Sequence, residues 1–286
     1  MSRLRKRMEQ EFALRGSPRN TQETYLRCIK TFAAHFGRSP ARLGREHVRA
    51  FLLYLVEKRK LSPSSHNVYV GALRFLYIHV LRRPEVVEGI PRRKQIKKIP
   101  RVLSASEVEE LLAAIGPMTQ RTILMLAYGA GLRVSEACHL QVEDIDSRQM
   151  VVHVRNAKRN RERDVMLSPR LLQQLRAYWR HHRPPGPHLF PGRGRNPTLT
   201  RDSVYDALHR ARQRCGLKGP ITPHTMRHSF ATHLLQQGVD LRTVQVLLGH
   251  ASIRSTTHYT QVTTARLASL QSPLDRLGNL SAQSPI

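Results

Sequence analysis

Residues 222–260 read TPHTMRHSFATHLLQQGVDLRTVQVLLGHASIRSTTHYT, and the rest of the chain is interpreted around this stretch. Thr222 and Pro223 predict a helix start, because a hydroxyl can accept from free N–H groups and proline fits the first helical position. Gly238 is expected to end that helix, Asp240 to cap a second short helix, and Gly249 to end the second one. The stretch therefore predicts two consecutive helices. The apolar residues expected to bury the first of them are Phe230, Leu234 and Leu235.

Four side chains of these helices and their ends suit an anionic substrate. His224 and Arg227 are three residues apart and so lie on one face of the first predicted helix. His250 directly follows the glycine that ends the second helix, and Tyr259 comes nine residues later. His224 and His228 also have a spacing used by zinc ligands, but no glutamate follows the first histidine and no third ligand is evident. No metal site is predicted.

A further arginine, Arg133, follows an apolar segment upstream. Residues 122–128 (TILMLAY) are apolar on all sides, which predicts a buried helix. The glycines of residues 129–131 (GAG) break this helix and allow a tight turn before Arg133. Glu136 lies one turn further on. We expect a buried Arg133 oriented by Glu136, and the alternative is an ion pair on the surface.

The hydrophobic period changes between Met150 and Leu167. Val152 and Val154 alternate with polar residues, a basic run follows, and apolar residues return at 165 and 167. This pattern predicts a β-hairpin with a very basic tip at residues 156–163. The predicted fold class is mainly α with one small β-hairpin, an α+β arrangement.

Together, these motifs resemble the C-terminal signature of the tyrosine recombinases, the phage-integrase family. The resemblance is carried by His224-x-x-Arg227, by the Leu-Gly-His sequence that ends at His250, and by Tyr259, while Arg133 looks like the family's first catalytic arginine. The resemblance implies a helical core-binding domain of SAM-like type, a C-terminal catalytic domain and recombination of DNA at specific sites.

The resemblance also implies a catalytic lysine in the hairpin, for which Lys158 is the candidate. The family usually flanks this lysine with glycines, whereas here the neighbours are Ala157 and Arg159. Lys158, Arg159 and Arg161 therefore compete for the role, and the two arginines are otherwise expected to contact DNA.

Cutting DNA by phosphoryl transfer needs a nucleophile, stabilisation of charge on the phosphate oxygens, and a proton for the departing oxygen. Tyr259 is the expected nucleophile. Its phenol has an unperturbed pKa of about 10, so it needs a base, for which His224 is the candidate, or a strongly positive site. In the family, the hairpin lysine protonates the 5′-oxygen.

The phosphate itself would be held by Arg133, Arg227 and His250. Arginine offers a planar fork that matches two phosphate oxygens, and an imidazole can donate one more hydrogen bond. The product would be a 3′-phosphotyrosine that conserves the bond energy, so that rejoining needs no ATP, no metal and no other cofactor. The sequence contains no P-loop and no carboxylate cluster, which agrees with this expectation.

Composition supports nucleic acid as the partner. Among 286 residues, 48 Lys and Arg face 20 Asp and Glu, for a formal net charge of +28. Such an excess attracts polyanions, although a membrane surface is an alternative. The three cysteines are isolated, which fits a reducing cytosol, and no apolar run of 18 residues exists. We expect a cytoplasmic protein that is associated with the nucleoid when bound to DNA.

The chain is predicted to have two domains joined by a basic linker. Residues 1–85 contain four amphipathic helices, at 1–15, 17–37, 45–58 and 62–80. The resemblance to the family's core-binding domain implies that this domain clamps duplex DNA. A plain helical bundle with solvated charges is the alternative. Residues 86–103 form the linker, and residues 104–286 the catalytic domain with a tail helix, which in the family packs on a neighbouring protomer. The linker's basic residues, predicted to strap over phosphates, are Arg92, Arg93, Lys94, Lys97 and Lys98.

The expected biological role is integration or excision of DNA by a homo-oligomer, a tetramer on two duplexes, because two duplexes must each be cut twice. Accessory DNA-bending proteins are considered as further partners. Two alternatives stay open: a nicking-closing enzyme similar to type IB topoisomerases, and a DNA-binding protein without catalysis.

Overall fold

The computed structural model describes residues 3–95, 100–155, 162–192, 194, 196–249 and 270–277. Within them the chain is mainly helical with one small sheet, as expected. The helices are α1 (Arg3–Leu14), α2 (Arg19–Phe36), α3 (Arg45–Glu57), α4 (Pro63–Arg74), α5 (Ala105–Ala113), α6 (Met118–Gly129), α7 (Val134–Cys138), α8 (Pro169–His182), α9 (Arg201–Arg214), α10 (Pro223–Gln236) and α11 (Leu241–Leu248). The strands are β1 (Ile145–Asp146), β2 (Val151–Val154) and β3 (Arg163–Met166).

The chain divides into two compact units, residues 1–98 and 99–286. In the first unit, the four predicted helices are confirmed as α1 to α4, and α4 continues as a π-helical turn, Phe75–Val80. Met8, Phe12, Phe32 and Phe51 lie in its core. Within the described part of the chain, every helix is too short or too polar to span a lipid bilayer.

The first unit extends beyond its fourth helix. Val86 and Val87 are buried in its core. The amide of Asn67 donates to the carbonyl oxygen of Arg93 at 2.9 Å and accepts from the N–H of Arg93 at 2.8 Å. The guanidinium of Arg93 donates to the carbonyl oxygen of Leu61 at 3.0 Å. Residues 86–93, part of the predicted linker, therefore pack against the first unit.

Helix α6 is the centre of the second unit, as its apolar sequence predicts. All its residues from Thr122 to Gly129 are buried, and it packs against α7, α8, α9 and α10. Beyond its end, Gly131 adopts a positive φ of 67°, and the N–H of Leu132 returns to the carbonyl oxygen of Leu126. This left-handed turn ends the helix and directs the chain into Arg133.

The predicted hairpin is confirmed as β2 and β3, which pair antiparallel with Val152 opposite Val165 and Val154 opposite Arg163. The short strand β1 extends the sheet on the other side of β2 and was not predicted. Its two residues carry no alternation that a sequence pattern could reveal.

The two helices of the opening stretch are confirmed as α10 and α11. The hydroxyl of Thr222 accepts from the N–H of Thr225 at 3.3 Å, and a carboxylate oxygen of Asp240 accepts from the N–H of Thr243 at 2.9 Å. Leu234 is buried, but Leu235 is 41% exposed, so its predicted place in the buried stripe is wrong. Leu235 is one position, about 100° of helical rotation, past Leu234.

The last described segment, residues 270–277, packs on α6 and α8 of the same chain and ends in a 3₁₀ turn, Pro273–Arg276. The hydroxyl of Ser272 donates to the carbonyl oxygen of Gly129 at 2.7 Å. Leu274 is fully buried on Gly129, where an added Cβ would lie 2.7 Å from its Cδ2 atom. Of the predicted tail helix, the described part is thus a short turn that packs within its own chain.

The turn at Gly131 yields a testable prediction. A Cβ there would lie 2.5 Å and 2.8 Å from two ring atoms of Phe230, and the positive φ disfavours any L side chain. We expect Gly131→Ala to lower the free energy of unfolding by roughly 2–4 kcal/mol, from backbone strain and overpacking together. The matched control is Gly116→Ala, which meets nothing within 4 Å. Chemical denaturation measures both, and equal stability of the two variants would contradict the prediction.

Candidate active site

The carboxylate of Glu136 lies at the centre of a buried cluster of three arginines. Its side chain is 5% exposed and forms ion pairs with Arg133 at 2.7 Å, Arg163 at 2.8 Å and Arg227 at 3.6 Å. Three guanidinium groups thus face one carboxylate, which leaves two positive charges in excess. A cluster with such an excess is suited to hold an anion such as a phosphate.

Arg133 is the most accessible arginine of the cluster. Its side chain is 32% exposed, so the expected burial is only partial, whereas its pairing with Glu136 is confirmed. Glu136 accepts both from Nη1 of Arg133, at 2.7 Å, and from its backbone N–H, at 2.8 Å. One carboxylate therefore caps the start of α7 and holds the arginine that precedes it.

Arg227 connects three segments of the chain from inside the protein. Its side chain is 3% exposed. Nη1 donates to the carbonyl oxygen of Gly131 at 2.6 Å, and Nη2 donates to that of Leu248. Burial and then the charge of Arg133 lower the pKa of Arg227 to about 9, although Glu136 opposes the shift. The guanidinium is still protonated at pH 7, so the cluster keeps its charge.

Arg163 is part of the cluster although no motif pointed to it. It begins β3 immediately after the basic tip, and its side chain is 8% exposed. Sequence reasoning treated this position as part of the tip. The alternation of residues along the strand could have revealed its burial, because Arg163 and Val165 lie on the same face of β3 and Val165 is fully buried. An arginine at an inward position requires a buried partner, and Glu136 supplies it.

His224 is exposed on the first turn of α10, one turn before Arg227. Partial burial, followed by the positive charges of Arg227, His228 and Arg133, lowers the pKa of His224 below its usual value of 6.5. Its imidazole is therefore neutral at pH 7 and able to accept a proton. The second histidine considered for zinc, His228, contributes only charge to this shift.

Several predicted site residues lie outside the described residues, and these are Lys97, Lys98, Lys158, Arg159, Arg161, His250 and Tyr259. Of the remaining linker residues, Arg92 and Lys94 are exposed, whereas Arg93 is bound to the first unit. The described chain therefore brings Arg133, Glu136 and Arg227 together, with His224 beside them. Arg227 also binds the carbonyl oxygen of Leu248, two residues before His250 in the sequence.

Comparison with known proteins identifies the family. The sequence model of the phage integrase family matches residues 101–266, and that of the phage integrase N-terminal SAM-like domain matches residues 4–85. The chain belongs to the phage integrase family. Its arginine cluster and His224 all lie within the larger of these two matches.

Individual relatives agree with this assignment. This phage integrase family member is 43% identical to an integrase/recombinase of Sinorhizobium fredii, over 97% of this chain and 90% of the relative. It is 34% identical to tyrosine recombinase XerA of Pyrococcus horikoshii, over 90% of each chain. Its fold resembles that of a lambda integrase dimer bound to a COC′ core site, with a TM-score of 0.69 at 22% identity, over 87% of this chain and 94% of the other.

The expected function is thereby confirmed at the level of the family. The chain is a site-specific recombinase of the tyrosine class, an enzyme that cleaves and rejoins DNA strands. The matched relatives are named integrases and recombinases, which favours this activity over a topoisomerase or a non-catalytic DNA-binding protein.

Glu136 makes the stability of the second unit depend on pH. Burial alone would raise its pKa, but hydrogen bonds and charge from Arg163, and then Arg133, lower it from 4.5 to about 2. The stabilisation is therefore complete above pH 4.5 and is lost as the pH falls towards 2. We expect Glu136→Gln to destabilise the protein by about 3 kcal/mol at pH 7, and the difference from the wild type to shrink between pH 4.5 and 2.

Urea unfolding at a series of pH values measures this difference. Glu110→Gln, at an exposed position of α5, is the matched control and should behave like the wild type throughout. If the deficit of Glu136→Gln were the same at pH 2 and pH 7, the loss would come from packing and not from the carboxylate charge.

Proposed function

We propose that this recombinase cuts duplex DNA by attack of Tyr259 on a phosphate held at the cluster in which Arg133, Arg163 and Arg227 surround Glu136. The observation that carries the proposal is the excess of two positive charges in this partly accessible cluster. A phosphodiester entering the site brings a negative charge that grows on the non-bridging oxygens during transfer, and preorganised guanidinium groups stabilise this charge.

In the proposed reaction, each bond and each proton that moves is accounted for by the DNA and the predicted residues. The phenol oxygen of Tyr259 bonds to phosphorus, and the bond from phosphorus to the 5′-oxygen breaks. His224 accepts the phenol proton, which its lowered pKa supports because the imidazole is neutral at pH 7. Lys158 protonates the departing 5′-oxygen. The 3′-phosphotyrosine is an ester like the bond it replaces, so the 5′-hydroxyl of a second strand can reverse the step without ATP.

Arg133 is the proposed direct phosphate ligand, since it is the accessible arginine of the cluster. Arg227 is proposed to act partly by holding the turn at Gly131 and the end of α11, because two of its N–H groups donate to carbonyls there. His250 would then follow an anchored helix end and donate a hydrogen bond to the same phosphate.

Duplex DNA is the proposed substrate and a homo-oligomer the proposed active form. The net charge of +28 supports broad contact with phosphates, to which the exposed Arg92 and Lys94 contribute. Lys97, Lys98, Arg159 and Arg161 are proposed as further phosphate contacts. The lambda integrase of similar fold is a dimer on its core site. A tetramer on two duplexes would provide the four strand cuts of a complete exchange.

Integration or excision of DNA is the proposed outcome in the cell, which would place the enzyme in the cytoplasm and on the nucleoid. The relative from Sinorhizobium fredii, named an integrase/recombinase, supports this choice. Accessory DNA-bending proteins are proposed as further partners, since bending a duplex costs energy that contacts with such proteins can offset.

The nucleophile is tested by trapping the covalent intermediate on nicked duplexes taken from the flanks of the gene. The wild type is expected to give a protein–DNA band in denaturing detergent. Tyr259→Phe should bind DNA with unchanged affinity and give no band, because the variant lacks only the attacking oxygen. Residual cleavage by Tyr259→Phe would contradict the assignment of Tyr259 as the nucleophile. Tight binding without any band from the wild type would favour the non-catalytic alternative, and plasmid relaxation would identify a topoisomerase.

The general acid is tested by changing the leaving group. Lys158→Ala is expected to slow cleavage of an ordinary phosphodiester by on the order of 10²–10³-fold. It should be nearly normal on a substrate with a 5′-bridging sulfur, because a thiolate leaves without protonation. Arg159→Ala and Arg161→Ala are the matched controls from the same tip. One of these variants, and not Lys158→Ala, could be slow on the ordinary substrate and nearly normal on the sulfur substrate. The arginine replaced in that variant would then be the general acid.

A further inference from the structure

Arg163 makes a set of contacts that no other described arginine of the cluster makes. Its Nη2 donates to one carboxylate oxygen of Glu136 at 2.8 Å, and its Nη1 donates to the other at 3.2 Å. Its Nε donates in the opposite direction, to the carbonyl oxygen of Leu247 at 2.8 Å. All three nitrogens of the guanidinium therefore bind the protein, and the side chain is 8% exposed.

The contact with α11 extends to Gly249. A Cβ atom at that position would lie 3.2 Å from both Cδ and Nη1 of Arg163. The glycine adopts a φ of 58°, so it turns the chain out of α11 directly against the arginine side chain. Arg163 thus packs against the last turn of α11 and the residue that precedes His250.

The contact with Glu136 reaches Arg133 through a shared carboxylate. Oε1 of Glu136 accepts from both Arg133 and Arg163, and Oε2 accepts from the backbone N–H of Arg133 and from Arg163. Because Arg163 binds both oxygens, it restricts rotation of the carboxylate, and Arg133 is oriented by that carboxylate. A lysine has one nitrogen and cannot copy this fork and the bond to Leu247 together.

We infer that Arg163 is a positioning residue of the recombination reaction, which orients Arg133 through Glu136 and fixes the end of α11 from which His250 follows. The inference rests on the proposed function, since it names a residue on which the positions of the proposed phosphate ligands depend. Arg163 does not touch the substrate in this role, because its guanidinium is buried and its nitrogens all donate to protein oxygens.

A second arginine of the hairpin serves as a matched control. Arg155 follows β2, on the other side of the tip, and its side chain is 45% exposed. It pairs with Glu143 and Asp144 rather than with the arginine cluster. Replacing either arginine by alanine removes one positive charge beside the tip, but Arg163, unlike Arg155, is connected to Glu136 and to α11.

The test compares Arg163→Ala, Arg163→Lys and Arg155→Ala in the covalent-trapping assay under single-turnover conditions. Both Arg163 variants are expected to bind DNA within about threefold of the wild type and to cleave it on the order of 10–100-fold more slowly, because the phosphate ligands are displaced. Arg155→Ala should cleave at close to the wild-type rate. Arg163→Lys keeps the charge and most of the side-chain volume. If Arg163→Ala does not fold, Arg163→Lys can still be compared with the wild type and with Arg155→Ala.

The substrate with a 5′-bridging sulfur separates positioning of the phosphate ligands from an effect on the leaving group. If Arg163 acts through Arg133 and His250, its variants stay slow by the same factor on this substrate, because the charge on the phosphate oxygens still needs stabilisation. Recovery on sulfur would instead place the effect on Lys158 and overturn the inference. A wild-type rate in either Arg163 variant, or an equal loss in Arg155→Ala, would also overturn it.

The behaviour of the wild-type protein separates a failure of this inference from a failure of the proposed function. A wild type that forms the Tyr259-dependent adduct, together with Arg163 variants that do so equally fast, removes only the role of Arg163. A wild type that forms no adduct on DNA that it binds tightly removes the proposed function, and the inference with it.

Discussion

The second unit depends on a single buried carboxylate. Glu136 on α7 is bonded to Arg133, which directly precedes that helix, and to Arg163 on β3, and Arg227 on α10 lies 3.6 Å away. Without the carboxylate, three guanidinium groups would repel each other in a medium that screens charge poorly. Glu136 therefore joins elements that are far apart in sequence, and the same ion pairs that complete the fold also create the excess charge of the site.

Helix ends provide the rest of the negative potential. Arg227 donates to the carbonyl oxygens of Gly131, just past the end of α6, and of Leu248, at the end of α11. Arg163 donates to Leu247 in the same last turn. The carbonyls at a helix C-terminus have no partners within the helix and carry a partial negative charge. These carbonyl groups thus stabilise the buried guanidinium groups of Arg163 and Arg227. Arg133 lies at the accessible edge of the cluster.

Much of this arrangement could be predicted from local signals. Thr222, Asp240 and Gly249 mark helix ends through short-range chemistry, and the pairing of Arg133 with Glu136 follows from their spacing of three residues. The fold class, the family and the two C-terminal helices follow from signals of this kind. The domain boundaries, and the roles of Lys158, His250 and Tyr259, remain predictions.

What the sequence could not supply depends on contacts between distant segments. The partnership of Arg163 with Glu136 and Leu247 joins residues 27 and 84 positions apart. Leu235 was placed on the wrong face because neighbours on a helix differ by a rotation of about 100°, and the burial stripe is set by what packs against it. On α8, Trp179 is 45% exposed and its neighbour Tyr178 is buried, a choice that depends in the same way on what packs against the helix.

The packing of Leu274 on Gly129 has a consequence for the topology of the chain. Gly249 is held at the end of α11, and the segment from Leu270 is attached to the same unit by Ser272 and Leu274. The chain that leaves α11 at Gly249 is therefore back in the packed core of the same unit by Leu270. Gly129 decides where this return is made, because any side chain at that position would meet Leu274.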